Sequence, residues 1–320
     1  MKASVLSTTL SVGALRRQAR DVLQAAAIAD PAREADWLLA SALGLPLHTL
    51  IFEGGRAVTP LQTERAWALI RRRAAREPLQ YLLGTQEFYS LEMAVTPDVL
   101  IPRPETELLV EATLQAVMDI EGPRVLDVGT GSGCIAVSLA RERSDAAVIA
   151  LDISAPALAV AQANAIRHGV CDHIKFVQAD LLGAFSFSPD GVFDVIVSNP
   201  PYIRACELSA LQPEVAWYEP RVALAAGTDG LDYHRWLLNG APELLKGGGH
   251  LVLELGCGQA DQVRRLSQQT GAFISLECRK DAAGIERVLV ARVGAGGAPR
   301  VPVAPPNATG DGPPPAIKGT

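Results

Sequence analysis

At 320 residues the chain has the length of one large or two ordinary domains, and 48% hydrophobic against 20% charged residues supplies ample material for buried cores. A formal net charge of −6 excludes the basic field of a non-specific nucleic-acid binder. Five cysteines (Cys134, Cys171, Cys206, Cys257, Cys278), widely spaced, odd in number and free of C-x-x-C, suit a reducing compartment better than a disulfide framework or zinc site.

The amino terminus has no long apolar run before Arg16-Arg17 and nothing reaches membrane-spanning length, so a cytoplasmic protein is expected. Residues 11–77 read helical throughout. Asp30-Pro31 and Thr59-Pro60 pair an N-cap with a first-turn proline, and Gly44 is placed to cap a helix end. In the last of these helices Trp67, Ile70 and Ala74 share one face, and Arg65, Arg72 and Arg76 another. The run Arg71-Arg72-Arg73 reads as a mostly solvated face. Residues 78–103 are broken by Gly84, Pro97 and Pro102, with β-type runs such as Leu91 to Val95 between, which predicts a hairpin-bearing connector. Pro104 opens a helix whose first turn holds Glu105 and Glu107, acids that stabilise a helix N-terminus.

From 123 to 292 strands and helices alternate, the pattern of a parallel sheet with crossover helices. Predicted strands lie at 124–128, 147–151, 174–178, 192–197 and 251–255. Two more, 273–278 and 287–291, include an expected antiparallel member. Beyond Gly294 the chain is rich in Gly, Pro and Ala and reads as a disordered tail. The expected organisation is therefore 1–77, a helical domain; 78–103, a connector; 104–292, an α/β domain; and 293–320, the tail.

Two motifs carry chemistry. The strand ending at Val128 runs into Gly129-Thr130-Gly131-Ser132-Gly133 and then into a helix. Glycines let a ligand approach the backbone closely. Asp152 ends the next strand about 20 residues on, the spacing at which an acid meets ribose hydroxyls. A dinucleotide fingerprint would need a small residue where Cys134 stands, and no Lys-Ser or Lys-Thr follows to make a P-loop. The loop, with Asp127 before it and Asp152 after it, instead resembles the S-adenosylmethionine site of Rossmann-like methyltransferases. The second motif is Asn199-Pro200-Pro201-Tyr202 after Val192 to Val197. Two prolines end the strand. Read alone, these residues make a surface turn. At the carboxyl edge of a parallel sheet, where ligands bind, the Asn199 oxygen and the Pro200 carbonyl can accept both hydrogens of an NH2 group. A methyl donor beside such a grip reads as N-methylation.

The combination resembles the release-factor glutamine methyltransferase family. Pro78 to Gly84, Phe88, Val99 to Glu107, Asp127 to Gly133, Asp152 to Ser154, Ser198 to Ile203, Glu219-Pro220, Gly227 to Leu231, Glu254 to Gly256, and Asp281 with Gly284 and Arg287 follow the family's order, over about residues 10 to 292. The resemblance implies a Rossmann-like, seven-stranded, S-adenosyl-L-methionine-dependent methyltransferase domain preceded by a small helical domain. It implies N5-methylation of the glutamine in the Gly-Gly-Gln motif of peptide chain release factors, with the helical domain docking that partner and no nucleic acid, metal or membrane involved. Asn199, Pro200 and Tyr202 would be catalytic, and Pro201 would join them in holding the substrate. Gly129, Thr130, Gly131, Ser132, Gly133, Asp152, Leu181 and Asn199 would hold the donor. Leu181 stands where many members carry a tryptophan, so an aliphatic contact to adenine and ordinary core packing are both open. Glutamine methylation of a ribosomal protein, DNA adenine-N6 methylation and a catalytically dead binding module are the competing readings.

Overall fold

The computed structural model describes residues 10–185 and 190–295. The expected tail falls outside them from residue 296 onward.

The chain opens with helices α1 (Val12–Ala25), α2 (Pro31–Leu43), α3 (Leu47–Phe52), α4 (Pro60–Ala74) and α5 (Leu79–Leu83). Their ends follow local chemistry. Asp30 caps α2 by accepting from Arg33 N, and α2 stops at Gly44 in the left-handed region at φ 65°. Thr59 and Gln62 form a reciprocal capping box on α4. Val12, Leu15, Ala19 and Leu23 of α1 recur at helical spacing and are buried with Leu38, Leu39 and Ile70 in a core of their own.

Arg73 corrects the solvated-face reading of the arginine run. Its side chain is only 7% exposed, pairing with Glu34 at 2.5 Å and with Glu214 at 2.9 Å. Buried charge is tolerated where it is paired. Arg72 stays exposed and pairs with Glu77.

A hairpin of β1 (Thr85–Phe88) and β2 (Leu91–Ala94) follows, then a tight turn over Pro104–Thr106 and helix α6 (Glu107–Ala116). Beyond it the elements alternate: β3 (Arg124–Val128), α7 (Cys134–Glu142), β4 (Ala147–Asp152), α8 (Ala155–Arg167), β5 (Ile174–Gln178), β6 (Phe193–Ser198), α9 (Pro213–Tyr218), α10 (Asp232–Gly240), β7 (Leu245–Glu254), α11 (Ala260–Thr270), β8 (Phe273–Lys280) and β9 (Glu286–Val293). The seven strands from β3 onward form one sheet in the order β5-β4-β3-β6-β7-β9-β8. β5 through β7 are parallel, whereas β9 runs antiparallel to both β7 and β8.

Successive residues of a strand face opposite sides of the sheet, and here both sides are covered. Val125, Val195 and Val197 pack with Leu109, Ile135 and Ala165 of α6, α7 and α8. Leu126, Val128 and Ile196 pack with Leu237 and Val263 of α10 and α11. Phe88 and Met93 of the hairpin join the first core, so the connector is built into the α/β unit. Chain order reverses between β3 and β6, and open sheets bind ligands at such a switch point.

Candidate active site

β3 and β6 leave the sheet side by side. Val128 is paired with Ser198, so the next residues, Gly129 and Asn199, emerge together at the switch point. Ser198 reinforces the register, donating from Oγ to the Val128 carbonyl at 2.7 Å.

The glycine loop is held from behind. Backbone N–H groups of Gly129 and Thr130 both donate to the Leu151 carbonyl, at 2.8 and 2.9 Å. Gly129, Gly131 and Gly133 all have positive φ, which favours glycine. A Cβ on Gly129 or Gly131 would meet nothing within 4 Å, because both face the cleft. Gly133 does a different job. A Cβ there would fall 2.9 Å from Ala161 Cβ, so it lets α7 pack closely on α8, and it does not line the cleft.

Asp152 closes the loop from the side. One carboxylate oxygen accepts from Gly131 N and the other from Ser154 N, each at 2.9 Å. Asn164 of α8 holds it from below. Fully buried, it donates to the Ser132 carbonyl at 2.8 Å and exchanges two bonds with the backbone of Ala94. One side chain thus joins the glycine loop to the hairpin. Nothing in its local sequence marks it, since it sits mid-helix in an ordinary amphipathic run.

On the acceptor side Asn199, Pro200 and Pro201 line the cleft, and Asn199 Nδ2 donates to Thr106 Oγ1 at 3.2 Å. Among the described residues no donor is hydrogen-bonded to Asn199 Oδ1. Tyr202 lies apart from the lining. Its carbonyl accepts from Gln259 Nε2 at 3.0 Å, and its ring sits so close to Gly256 that a Cβ there would fall 3.0 Å from it. Leu181 lines the far end with Ala179, Asp180 and Tyr233, in a left-handed conformation at φ 50°.

The cleft spans about 1060 Å³, opening in part to solvent. Its rim from Asp98 to Arg103 is anchored by Glu219, which pairs with Arg103 and accepts from Ile101 N. Two carboxyls lie beneath its floor. Burial pushes Asp127 up to about 7, opposed by the Thr130 hydroxyl at 2.6 Å. Burial likewise pushes Glu254 up to about 7, opposed by the hydroxyl of Thr106. Among the described residues no cluster of His, Cys, Asp and Glu could hold a metal, and no helix is long and apolar enough to cross a membrane.

These residues fit a nucleoside-bearing methyl donor. Glycine backbone faces open space, an acid is fixed at the end of the adjacent strand, and an apolar recess lies beyond it around Leu181.

Comparison with known proteins matches both halves of the chain. Residues 14–84 match the family model for the PrmC N-terminal domain, and residues 104–215 the Methyltransferase small domain. The release factor glutamine methyltransferase of Geobacter sulfurreducens is 46% identical over 263 residues, covering 82% of this chain and 89% of that protein. Its counterpart in Rhodospirillum rubrum is 41% identical over 314 residues, 97% and 93% of the two chains. Among solved structures, the hMettl16 catalytic domain in complex with a MAT2A 3'UTR hairpin superposes with a TM-score of 0.52 at 15% identity, over 73% of this chain and 81% of that one. That likeness concerns the fold alone.

Proposed function

We propose that this chain, which belongs to the release factor glutamine methyltransferase family, methylates the side-chain amide nitrogen (N5) of the glutamine in the Gly-Gly-Gln motif of a peptide chain release factor. The observation that carries the reading is the pairing of Val128 with Ser198, which brings the cleft-facing glycine loop and the Asn199 amide out of the sheet as neighbours.

S-adenosyl-L-methionine, when bound, supplies a methyl group activated by a sulfonium. The backbone of Gly129 to Ser132, with Asp152 and Leu181, would hold it. The protein's task on the other substrate is orientation. An amide nitrogen is a poor nucleophile because its lone pair is delocalised into the carbonyl. If Asn199 Oδ1 and the Pro200 carbonyl accept its two hydrogens, the lone-pair face is fixed toward the donor side of the cleft. Positioning of that kind supplies several kcal/mol of a barrier. The same bonds strengthen as positive charge grows on the nitrogen, which adds electrostatic stabilisation. Tyr202, packed on Gly256 and bonded through its carbonyl to Gln259, would support the loop from behind.

The helical domain sits beside this cleft through the Arg73–Glu214 contact, which suits a protein acceptor with surface to dock. The net charge of −6 disfavours DNA, whose phosphates demand basic contacts.

The test is methyl transfer from labelled donor to purified release factor, to its variant with alanine at the motif glutamine, to ribosomal proteins and to DNA. Label is expected on the release factor alone and absent from the variant. Asn199→Ala is expected to lower kcat by about 10² with the protein still folded. Label on DNA, or equally on factor and variant, overturns the reading.

A further inference from the structure

Pro200 and Pro201 carry the loop that lines the acceptor side of the cleft, and they have little of their own to hold it. Both lack the backbone N–H through which a loop is usually pinned, and their fixed φ makes the segment stiff. It is therefore positioned from its two ends. One end is Ser198, locked in the sheet on Val128. We propose that Gln259 is the positioning residue for the other end, holding the Asn199-Pro200-Pro201-Tyr202 loop in place through the Tyr202 carbonyl. The proposal rests on the reading of that loop as the acceptor grip and deepens it.

Gln259 precedes α11 as its N-cap, but its side chain makes no capping bond to that helix. Short Ser, Thr, Asp or Asn side chains are the ones that fill that role. The Gln259 amide reaches back instead to three separate segments. Its Oε1 accepts from Gly256 N at 2.9 Å, just past the end of β7. Its Nε2 donates to the Tyr202 carbonyl at 3.0 Å and to the Gly230 carbonyl at 3.2 Å. Both N–H donors of the amide and its oxygen are thus used. Rotated by half a turn, the amide would set its oxygen against two carbonyls and its NH2 against the Gly256 N–H. The three bonds together therefore fix its orientation.

Among the described residues no other donor is hydrogen-bonded to the Tyr202 carbonyl. The fit around the amide is close. A Cβ on Gly230 would fall 2.6 Å from the Tyr202 carbonyl oxygen, and one on Gly256 2.7 Å from Gln259 Oε1. Glycine at both places lets the three segments meet on one side chain. Gln259 does not line the cleft, so it acts on the acceptor through the loop. Losing it frees the Tyr202 carbonyl, and a stiff loop displaced at one end carries the Pro200 carbonyl with it. A misplacement of about 1 Å can cost about 10² in rate.

The first arm of the test needs no acceptor. Ile203 N donates to the Leu224 carbonyl and Ala226 N to the Ile203 carbonyl, at 3.0 and 2.9 Å, so their hydrogen exchange reports how firmly the end of the loop is held. In Gln259→Met both amides should exchange at least about tenfold faster by NMR, while those of Gly129 and Thr130 keep their wild-type rates. The second arm is methyl transfer to the release factor. Gln259→Met should lower kcat by about 10- to 100-fold per chain that binds donor, with donor Kd and acceptor KM each within about threefold. A purely structural role would instead reduce the number of donor-binding chains and leave kcat per binding chain unchanged. Gln259→Ala replaces the methionine variant if the latter does not fold. Unchanged exchange at Ile203 and Ala226, exchange accelerated equally at Gly129 and Thr130, or wild-type kcat per donor-binding chain overturns the proposal. A wild-type protein that leaves the release factor unlabelled overturns the functional reading instead, and the exchange arm still decides whether Gln259 holds the loop.

Discussion

Arg73 Nη1 donates to Glu214 Oε1 at 2.9 Å across 141 residues of sequence, joining the end of α4 to α9. Arg76 meets the other oxygen of the same carboxylate at 2.7 Å, and Tyr218 of α9 donates to the Ala75 carbonyl at 2.8 Å. The next residue, Glu219, holds Arg103 at the cleft rim. A continuous set of polar contacts thus runs from the helical domain to the wall of the active site.

Breaking this junction should cost stability according to what is left buried and unpaired. Glu214→Ala leaves Arg73 with Glu34, so a loss of about 1–3 kcal/mol is expected. Arg73→Ala strands Glu34 and leaves Glu214 with Arg76 alone, and should cost more, about 3–5 kcal/mol. Thermal unfolding of the two variants checks the order. Equal melting temperatures for both variants and wild type would show that the pairing contributes nothing.

Asp152 already uses both carboxylate oxygens on the backbone, at Gly131 and Ser154, so its removal should do two things at once. On the proposed reading it would delete charge-assisted contacts to a ribose, each worth about 1.5–3 kcal/mol, and it would free the glycine loop. Asp152→Ala is expected to weaken donor binding by about 10² or more. Calorimetry that finds donor affinity unchanged would remove Asp152 from the donor site.

What was legible in the chain was what local chemistry decides. Glycines that must adopt positive φ, prolines that must end a strand and an acid that must follow at a fixed spacing announce themselves one by one. So do the caps at Asp30, Thr59 and Gly44. Contacts made across the fold leave no such mark. Arg73 reads like Arg71 and Arg72 until Glu34 and Glu214 arrive from distant segments. Tyr202 belongs to the same tetrapeptide as Asn199, yet Gln259 and Gly256 draw it away from the cleft. β7 begins at Leu245, well before the expected Leu251, because Leu245 pairs with Phe193 of β6, and the glycine run that argues locally for a turn is taken up as a register irregularity before His250 pairs with Val195.

Asn164 is the clearest case of a residue silent in sequence, and its variants should expose a link between stability and donor binding. Asn164→Leu leaves the Ala94 N–H and C=O and the Ser132 carbonyl without their partner, so a loss of about 2–4 kcal/mol is expected. Asn164→Asp keeps an acceptor for Ala94 N but sets a charge against two carbonyls, so it should not restore stability. Since the Ser132 carbonyl anchors the glycine loop, donor Kd should rise in both. Denaturant unfolding with calorimetry checks the pair of effects, and a destabilised protein with unaltered donor Kd would limit Asn164 to packing.

The buried carboxyls beneath the cleft give a pH signature opposite to that of salt-bridged acids. Asp127 and Glu254 are both pushed up to about 7 by burial, against about 4 for carboxyls in an unfolded chain. The folded state therefore binds their protons more tightly. The stabilisation is complete below about pH 4 and is lost as pH rises through 7. Buried His234 works the other way. Its pKa is lowered to about 4 by burial, and that of His250 is lowered by burial as well, so the unfolded chain gains protons there as pH falls below about 6.5. The histidines oppose the carboxyls between about pH 5 and 6, so the loss of stability is shallower there than the carboxyls alone would give. Above about pH 6.5 the carboxyls dominate, and the donor-free protein should lose about 1 kcal/mol by pH 8. Asp127→Asn removes one of the two titrations while the histidines still oppose the other, so its decline should be less than half as steep. Urea unfolding of both proteins at several pH values provides the comparison. Stability that rises between pH 6.5 and 8, or declines equally in the two proteins, would mean that Asp127 is ionised in the folded state well below neutrality.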